Sequence, residues 1–225
     1  KDRFFSLLGH GERYGVDITY LIQDKPNGLA EAFIIAEDFI GQSEVTLILG
    51  DNIFYGDALK NSLSEDFNGG AKIVCCKVND PERYGVARIE GENVVQIIEK
   101  PDEFISHFAV TGIYVYDNSV VSKSKSLSPS SRGELEITDL NNLFINEGNL
   151  RGSFLDSEMI WMDTGTFDSL HDASALVKAL QNRSGHLIGS PELAAYHNNW
   201  VSKEKLLANL SSNNPYEESV LSSLD

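Results

Sequence analysis

The chain has 225 residues, a net charge of −16, a pI near 4.6, 41% hydrophobic and 23% charged residues. That is enough chain for one large domain with a real core, and the acidic surplus excludes a broad basic face for nucleic acid. No apolar run approaches the ~20 residues of a membrane span, no charged and apolar leader marks a secretory signal, and the adjacent Cys75 and Cys76 would point to opposite faces of a strand, as unpaired core thiols in a reducing compartment.

Taken in chain order, Phe4-Phe5-Ser6-Leu7-Leu8-Gly9 reads as the end of a helix closed by a Gly cap. With Lys1 first, the start reads as mid-domain, with an N-terminal piece absent. Residues 18–23 are expected as a strand and 24–28 as a loop. A helix is expected over 29–40, with Leu29, Phe33, Ala36 and Ile40 on one face and Gly41 as its stop. The turn Pro26-Asn27-Gly28 either opens an anion-binding helix N-terminus or is an ordinary strand-to-helix turn. Residues 45–49 form a short continuous apolar run, as in a strand buried on both faces. Gly50 ends that run and leaves Asp51 at the carboxyl end, the edge at which open α/β sheets bind ligands. A carboxylate there suits a hard divalent cation and its phosphate ligands. A Gly-Asp-Asn turn with an exposed acid accounts for it equally.

A short helix near 58–63 leads to a strand over 71–78. Residues 85–89 and 94–98 are expected as a hairpin turning at Glu90-Gly91-Glu92-Asn93. A strand is expected over 109–116, and helices over 119–126 and 137–145, the second capped by Thr138 and ended by Gly148. Strands over 150–155 and 158–161 precede Met162-Asp163-Thr164-Gly165, a second acidic loop built like the first. Asp163 is either a second metal carboxylate or an acid favoured at the start of the next helix. That helix is expected over 167–182, with Thr166 as N-cap and Leu170, Ala173, Leu176, Val177 and Leu180 buried. Lys100, in Glu99-Lys100-Pro101, is either a phosphate contact or half of an exposed ion pair. Composition shifts after Gly185, giving two expected divisions: an α/β domain at 1–185 and a helical segment at 186–225, with helices at 191–197, 201–210 and 215–224. The order of elements makes the fold class α/β with a mixed sheet flanked by helices.

Several stretches together resemble the sugar-1-phosphate nucleotidyltransferases, and among them the glucose-1-phosphate thymidylyltransferases. They are Asn27-Gly28-Leu29-Ala30-Glu31-Ala32-Phe33, Leu49-Gly50-Asp51-Asn52-Ile53-Phe54-Tyr55-Gly56, Asn79-Asp80-Pro81-Glu82-Arg83-Tyr84-Gly85-Val86, Glu99-Lys100-Pro101, Ala109-Val110-Thr111-Gly112, Arg132-Gly133-Glu134-Leu135-Glu136-Ile137-Thr138-Asp139 and Trp161-Met162-Asp163-Thr164-Gly165. They occur in family order. The resemblance implies a Rossmann-like fold and thymidylyl transfer from dTTP to glucose 1-phosphate, giving dTDP-glucose and pyrophosphate for deoxysugar synthesis. It implies Mg²⁺ held by Asp51 and Asp163, and sugar-phosphate contact at Lys100. It also implies a thymine pocket of Gln23, Pro26, Gly28 and Leu29, and glucose contacts at Gly85, Glu99 and Val110 beside Trp161. It implies a cytoplasmic bacterial homotetramer.

Two departures follow. The family's opening strand, its Gly-Gly-x-Gly-Thr-Arg-Leu triphosphate loop and the Lys after it have no counterpart in this sequence. Residues 190–197 resemble a regulatory nucleotide site at a subunit interface, implicating Glu192, Tyr196 and His197. The family has Arg where His197 stands, and Arg, unlike His, stays charged and grips phosphate bidentately, which puts feedback inhibition by dTDP-rhamnose in question. Two other readings stand beside the enzyme: a catalytically dead nucleotide-sugar-binding or assembly subunit, and a metal-dependent glycosyltransferase, whose Asp-x-Asp is here Gly50-Asp51-Asn52. The chain as it stands is expected to turn over weakly or not at all. Pyrophosphate release from dTTP and glucose 1-phosphate at an ordinary enzymatic rate, roughly 1–1,000 per second, would overturn that expectation.

Overall fold

Apolar runs punctuated by glycines build a six-stranded mixed sheet and a separate two-stranded sheet. The structure, a computed structural model, describes residues 2–64, 67–91, 93–155, 158–210 and 214–224. Two compact units result, Lys1–Ile22 with His171–Asp225 and Gln23–Leu170. The expected division at 185/186 follows composition; the grouping by contact falls instead at 22/23 and 170/171.

The chain opens with α1 (Asp2–Leu8), ended by Gly9 at φ +58°. The expected strand over 18–23 is not formed: these residues have no ladder partner among the described residues, and Leu21 and Ile22 are exposed. The expected helix over 29–40 is two short ones, α2 (Glu31–Ile35) and α3 (Glu37–Ile40), broken at Ala36 with φ −93° and ψ 12°. Phe33 and Ile40 are buried as expected, but Leu29 is exposed and Ala30 takes its place in the core.

β1 (Val45–Ile48) pairs antiparallel with β6 (Phe108–Tyr116). It is not buried on both faces: Thr46 and Ile48 face outward while Val45 and Leu47 pack on the core. The doubly buried strand is β3 (Ala71–Lys77), between β6 and the parallel β7 (Leu150–Phe154). There Cys75 and Cys76 are free, and burial pushes the Cys75 thiol up to about 12, so it is inert. β4 (Gly85–Glu90) and β5 (Asn93–Glu99) form the expected hairpin, of which Glu92 lies outside the described residues. The small sheet is β2 (Asn52–Tyr55) against β8 (Ile160–Asp163).

Helices α5 (Ser119–Ser126) and α6 (Ile137–Asn146) cover the large sheet with α2, and α4 (Ala58–Ser64) follows β2. The core centres on Tyr116. Its ring meets Phe33 edge-on at 5.2 Å and Phe144 at 5.4 Å, and its hydroxyl donates to Asn141 Oδ1 at 2.6 Å. Complete burial drives that phenol well above its ordinary pKa.

α7 (Phe167–Ser184) starts as the sequence predicts, with the Thr166 hydroxyl accepting the Ser169 N–H at 3.1 Å. Its expected apolar face is mostly open: only Ala173 is buried, and Leu170 is exposed. α8 (Pro191–His197), α9 (Lys203–Ala208) and α10 (Pro215–Ser222) each begin at a Ser or Asn side-chain cap. Leu193, Val201, Leu206 and Val220 close around Tyr14. No helix among the described residues is long and apolar enough to cross a membrane.

Replacing Tyr116 by Phe leaves the Asn141 oxygen buried without its donor. The expected loss is about 1–3 kcal/mol, read as a lower midpoint in urea denaturation; an unchanged midpoint contradicts it.

Candidate active site

Asp51 and Asp163 lie more than a hundred residues apart, and the β2–β8 ladder makes them neighbours. Asn52 sits opposite Asp163 in register, and Asp51 is one step further along. Thr164 crosses the junction twice, its N–H and its hydroxyl each donating to the Asp51 carbonyl at 2.8 Å. Asp51 Oδ1 accepts from Asn52 Nδ2 at 2.9 Å, and Asp163 Oδ1 accepts from the Gly165 N–H at 3.0 Å. Each carboxylate is thereby oriented through one oxygen. The pair belongs to the small sheet rather than to the edge of the large one.

Asn52 anchors this arrangement. Its Oδ1 accepts from the Gly112 N–H at 2.9 Å and from Trp161 Nε1 at 2.7 Å. A Cβ at Gly112 would lie 2.7 Å from that amide, so only glycine admits the close approach. Trp161 packs on Tyr84 with centroids 4.9 Å apart, and the Arg83 guanidinium lies 5.3 Å over the far ring. Burial first, and the charges of Asp80 and Asp163 less, push the Tyr84 phenol up against the opposing pull of Arg83.

Tyr84 connects this end to the β4–β5 hairpin, where its carbonyl accepts the Lys100 N–H at 2.9 Å. Lys100 has φ +43°, a left-handed conformation disfavoured for a side-chain-bearing residue and disfavoured again before Pro101. Such strain costs about 1–3 kcal/mol and gathers at functional positions. Beside it, Glu99 faces Gly85 across the ladder, and a Cβ at Gly85 would stand 3.3 Å from its Oε2. Thr138 was expected to cap α6. Instead it is buried, and its hydroxyl donates to Glu99 Oε2 at 2.8 Å while Glu136 takes the N-cap position without a side-chain bond.

Arg132 and Glu136 form the next contact. Arg132 bonds both carboxylate oxygens of Glu136, at 3.1 and 2.7 Å, and Ser130 adds a third hydrogen bond. Partial burial raises the Glu136 carboxyl, but those bonds and the charges of Arg132 and Lys100 outweigh it and hold it low. Sequence reasoning gave no site role to Arg132, Thr138, Tyr84 or Asn52. Thr138, Tyr84 and Asn52 each act through a partner far away in the chain, whereas Arg132 reaches Glu136 only four residues on.

Residue 135 then joins the Gln23 corner. The Leu135 N–H donates to the Asn27 carbonyl at 2.6 Å, and the Leu135 carbonyl accepts from Ala30 at 3.2 Å. Gly28, at φ +103°, lies so close that a Cβ would fall 2.4 Å from the Leu135 oxygen. This corrects the expected helix N-terminus at residue 29: the helix begins at Glu31, runs five residues, and the strand-like contact takes the Ala30 N–H. Gln23 Nε2 donates to Glu31 and to the Gly28 carbonyl. Pro26 and Leu29 stand exposed beside it.

Contacts and short steps along the chain thus link the expected residues from Gln23 through Glu99 and Lys100 to Trp161, Asp51 and Asp163. Val110 stands apart, its side chain inside the core. Glu192, Tyr196 and His197 lie in the other unit. There Glu192 is buried, accepts from the Tyr216 hydroxyl and pairs with Arg13 at 3.7 Å. Burial, then that hydrogen bond, pushes the Tyr216 phenol up to about 12. Among the described residues no cluster of three or more His, Cys, Asp or Glu could hold a metal. The two oxygen-donor carboxylates fit a hard cation that draws its other ligands from phosphates and water.

Residues 1–179 match the family model described as nucleotidyl transferase. A glucose-1-phosphate thymidylyltransferase of Neisseria meningitidis serogroup A is 44% identical over 223 residues, 97% of this chain and 77% of the relative. A solved candidate glucose-1-phosphate thymidylyltransferase from Bacillus anthracis, in complex with sucrose, superposes with a TM-score of 0.70 at 44% identity, over 78% of this chain and 71% of the other. A UDP-glucose pyrophosphorylase solved with UDP-glucose shares the fold, with a TM-score of 0.63 at 21% identity over 70% and 64%.

Replacing Gly112 by Ala is expected to displace the Asn52 amide and free the Trp161 indole N–H. The protein loses about 1–3 kcal/mol, and its tryptophan emission shifts; identical emission and stability would show that Asn52 tolerates the methyl group.

Proposed function

The chain belongs to the nucleotidyl transferase family, and we propose from this that it transfers a thymidylyl group from dTTP to glucose 1-phosphate, releasing pyrophosphate. The observation that carries the reading is the band of contacts and short chain steps joining the corner at Gln23, the strained Lys100 and the carboxylates at Asp51 and Asp163. A nucleotide, a sugar phosphate and a cation are the groups that such a sequence of sites suits.

In this reading Gln23 meets the base edge, with Pro26, Gly28 and Leu29 around it. Glu99, its free rotation limited by Thr138, accepts sugar hydroxyls over the gap left by Gly85, with Trp161 as a wall. Lys100 and Arg132 supply positive charge to the sugar phosphate, each already balanced by a neighbouring carboxylate. Asp51 and Asp163 would hold Mg²⁺, which when bound neutralises charge on the phosphate oxygens. The protein's own part is positional: it brings the sugar phosphate and the α-phosphorus into line and excludes competing acceptors. Assembly into a homotetramer and a cytoplasmic location belong to the same proposal.

Asp51→Asn and Asp163→Asn are each expected to weaken Mg²⁺-dependent dTTP binding by tenfold or more, on the order seen when metal sites are perturbed. Calorimetry with and without Mg²⁺ measures this. Equal binding in both variants removes the carboxylate pair from the site.

A further inference from the structure

Glu31 governs what Gln23 can offer a ligand. Gln23 Nε2 donates to Glu31 Oε2 at 2.6 Å and to the Gly28 carbonyl at 3.0 Å. Asn27 Nδ2 donates to the other carboxylate oxygen of Glu31 at 2.7 Å. A side-chain amide nitrogen carries two N–H groups, and both are here engaged by groups that can only accept. Turning the amide over would set its oxygen against a carboxylate and a carbonyl, at the cost of both bonds. Hydrogen bonds from Asn27, then Gln23, hold the Glu31 carboxyl below its ordinary range, so it stays ionised and remains an acceptor at neutral pH. What remains of Gln23 for a base is its oxygen.

We propose that Glu31 is a positioning residue that fixes the Gln23 amide with its oxygen outward, so that the pocket takes pyrimidines carrying a proton on N3 and rejects those presenting a lone pair there. The inference rests on Gln23 being the base reader. Thymine and uracil offer an N3–H donor to that oxygen. Cytosine sets a bare nitrogen against it, and can use its exocyclic amine only by sliding along the pocket. A site built to receive a donor rejects a ligand that cannot supply one in place, because its own polar group is left unpaired. Under this device Glu31 separates thymine and uracil from cytosine, while the 5-methyl group is read elsewhere in the pocket.

The test is calorimetric titration of the full chain with dTTP, dUTP and dCTP in Mg²⁺, for wild type, Glu31→Gln and Gln23→Ala, with thermal melting as a check on folding. Wild type is expected to prefer dTTP over dCTP by about tenfold or more, with dUTP following dTTP. In Glu31→Gln the new amide can face Gln23 either way round, so the dTTP-to-dCTP preference collapses toward unity. If Glu31→Gln fails to fold, Glu31→Ala reports the same ratio. A preference unchanged in the folded Glu31 variant but lost in Gln23→Ala overturns the role of Glu31 and leaves Gln23 as base reader. A preference that survives Gln23→Ala, or is absent from wild type, overturns both.

Discussion

The side-chain amide of Asn52 joins three parts of the sheet unit that are remote in sequence. Its oxygen receives the Gly112 N–H of the large sheet and the Trp161 indole of the small one, and its nitrogen holds the Asp51 carboxylate. An amide can do this because it offers acceptor and donor from one rigid plane. The close approach demands glycine at 112, and the ladder of β2 with β8 demands that Asp163 arrive opposite Asn52. Loss of that one amide would unseat an aromatic wall, a strand contact and a carboxylate together, so the acidic pair is a property of the junction rather than of either aspartate.

An acidic chain that handles phosphates must limit its own repulsion. Here the cations near the site are few, and each has an acid for a neighbour. Lys100 and Arg132 both act on Glu136, Arg132 also feels Glu99, and Arg83 is held at 2.8 Å by Asp80. These are mostly exposed pairs whose contribution to stability is small. Their value lies in orientation: Arg132 is clamped bidentately, and Lys100 is held by a strained backbone whose N–H is tied to Tyr84. The strain at Lys100 is sustained because the β4–β5 ladder on one side and Pro101 on the other leave it no relaxed alternative.

Much of the fold was legible because local signals and tertiary demand agreed. β3, the β4–β5 hairpin, α5, the cap of α7, the span of α8 and the glycine stops at 9 and 148 all follow from runs, turns and caps that act within a few residues. The failures share a cause. A strand over 18–23 has the composition of a strand but finds no partner among the described residues, and composition does not supply hydrogen bonds. β1 has the continuous apolar run of a doubly buried strand and yet, among the described residues, pairs only with β6 and leaves Thr46 and Ile48 outward, because burial is decided by what lies on either side. Thr138 has the identity and position of a helix cap; its hydroxyl instead turns to a carboxylate brought from residue 99.

By itself the sequence determined the class of fold, the ordered motifs that mark the family, and which side chains bring charge: Asp51, Asp163, Glu99 and Lys100 are named by residue type, glycine spacing and strand ends. Tertiary structure alone decided how those charges are aimed. The groups that bring them together are far away along the chain, and hydrogen bonds between Asn52 and Trp161, Thr138 and Glu99, or Leu135 and Asn27 depend on register and packing, which no local pattern encodes.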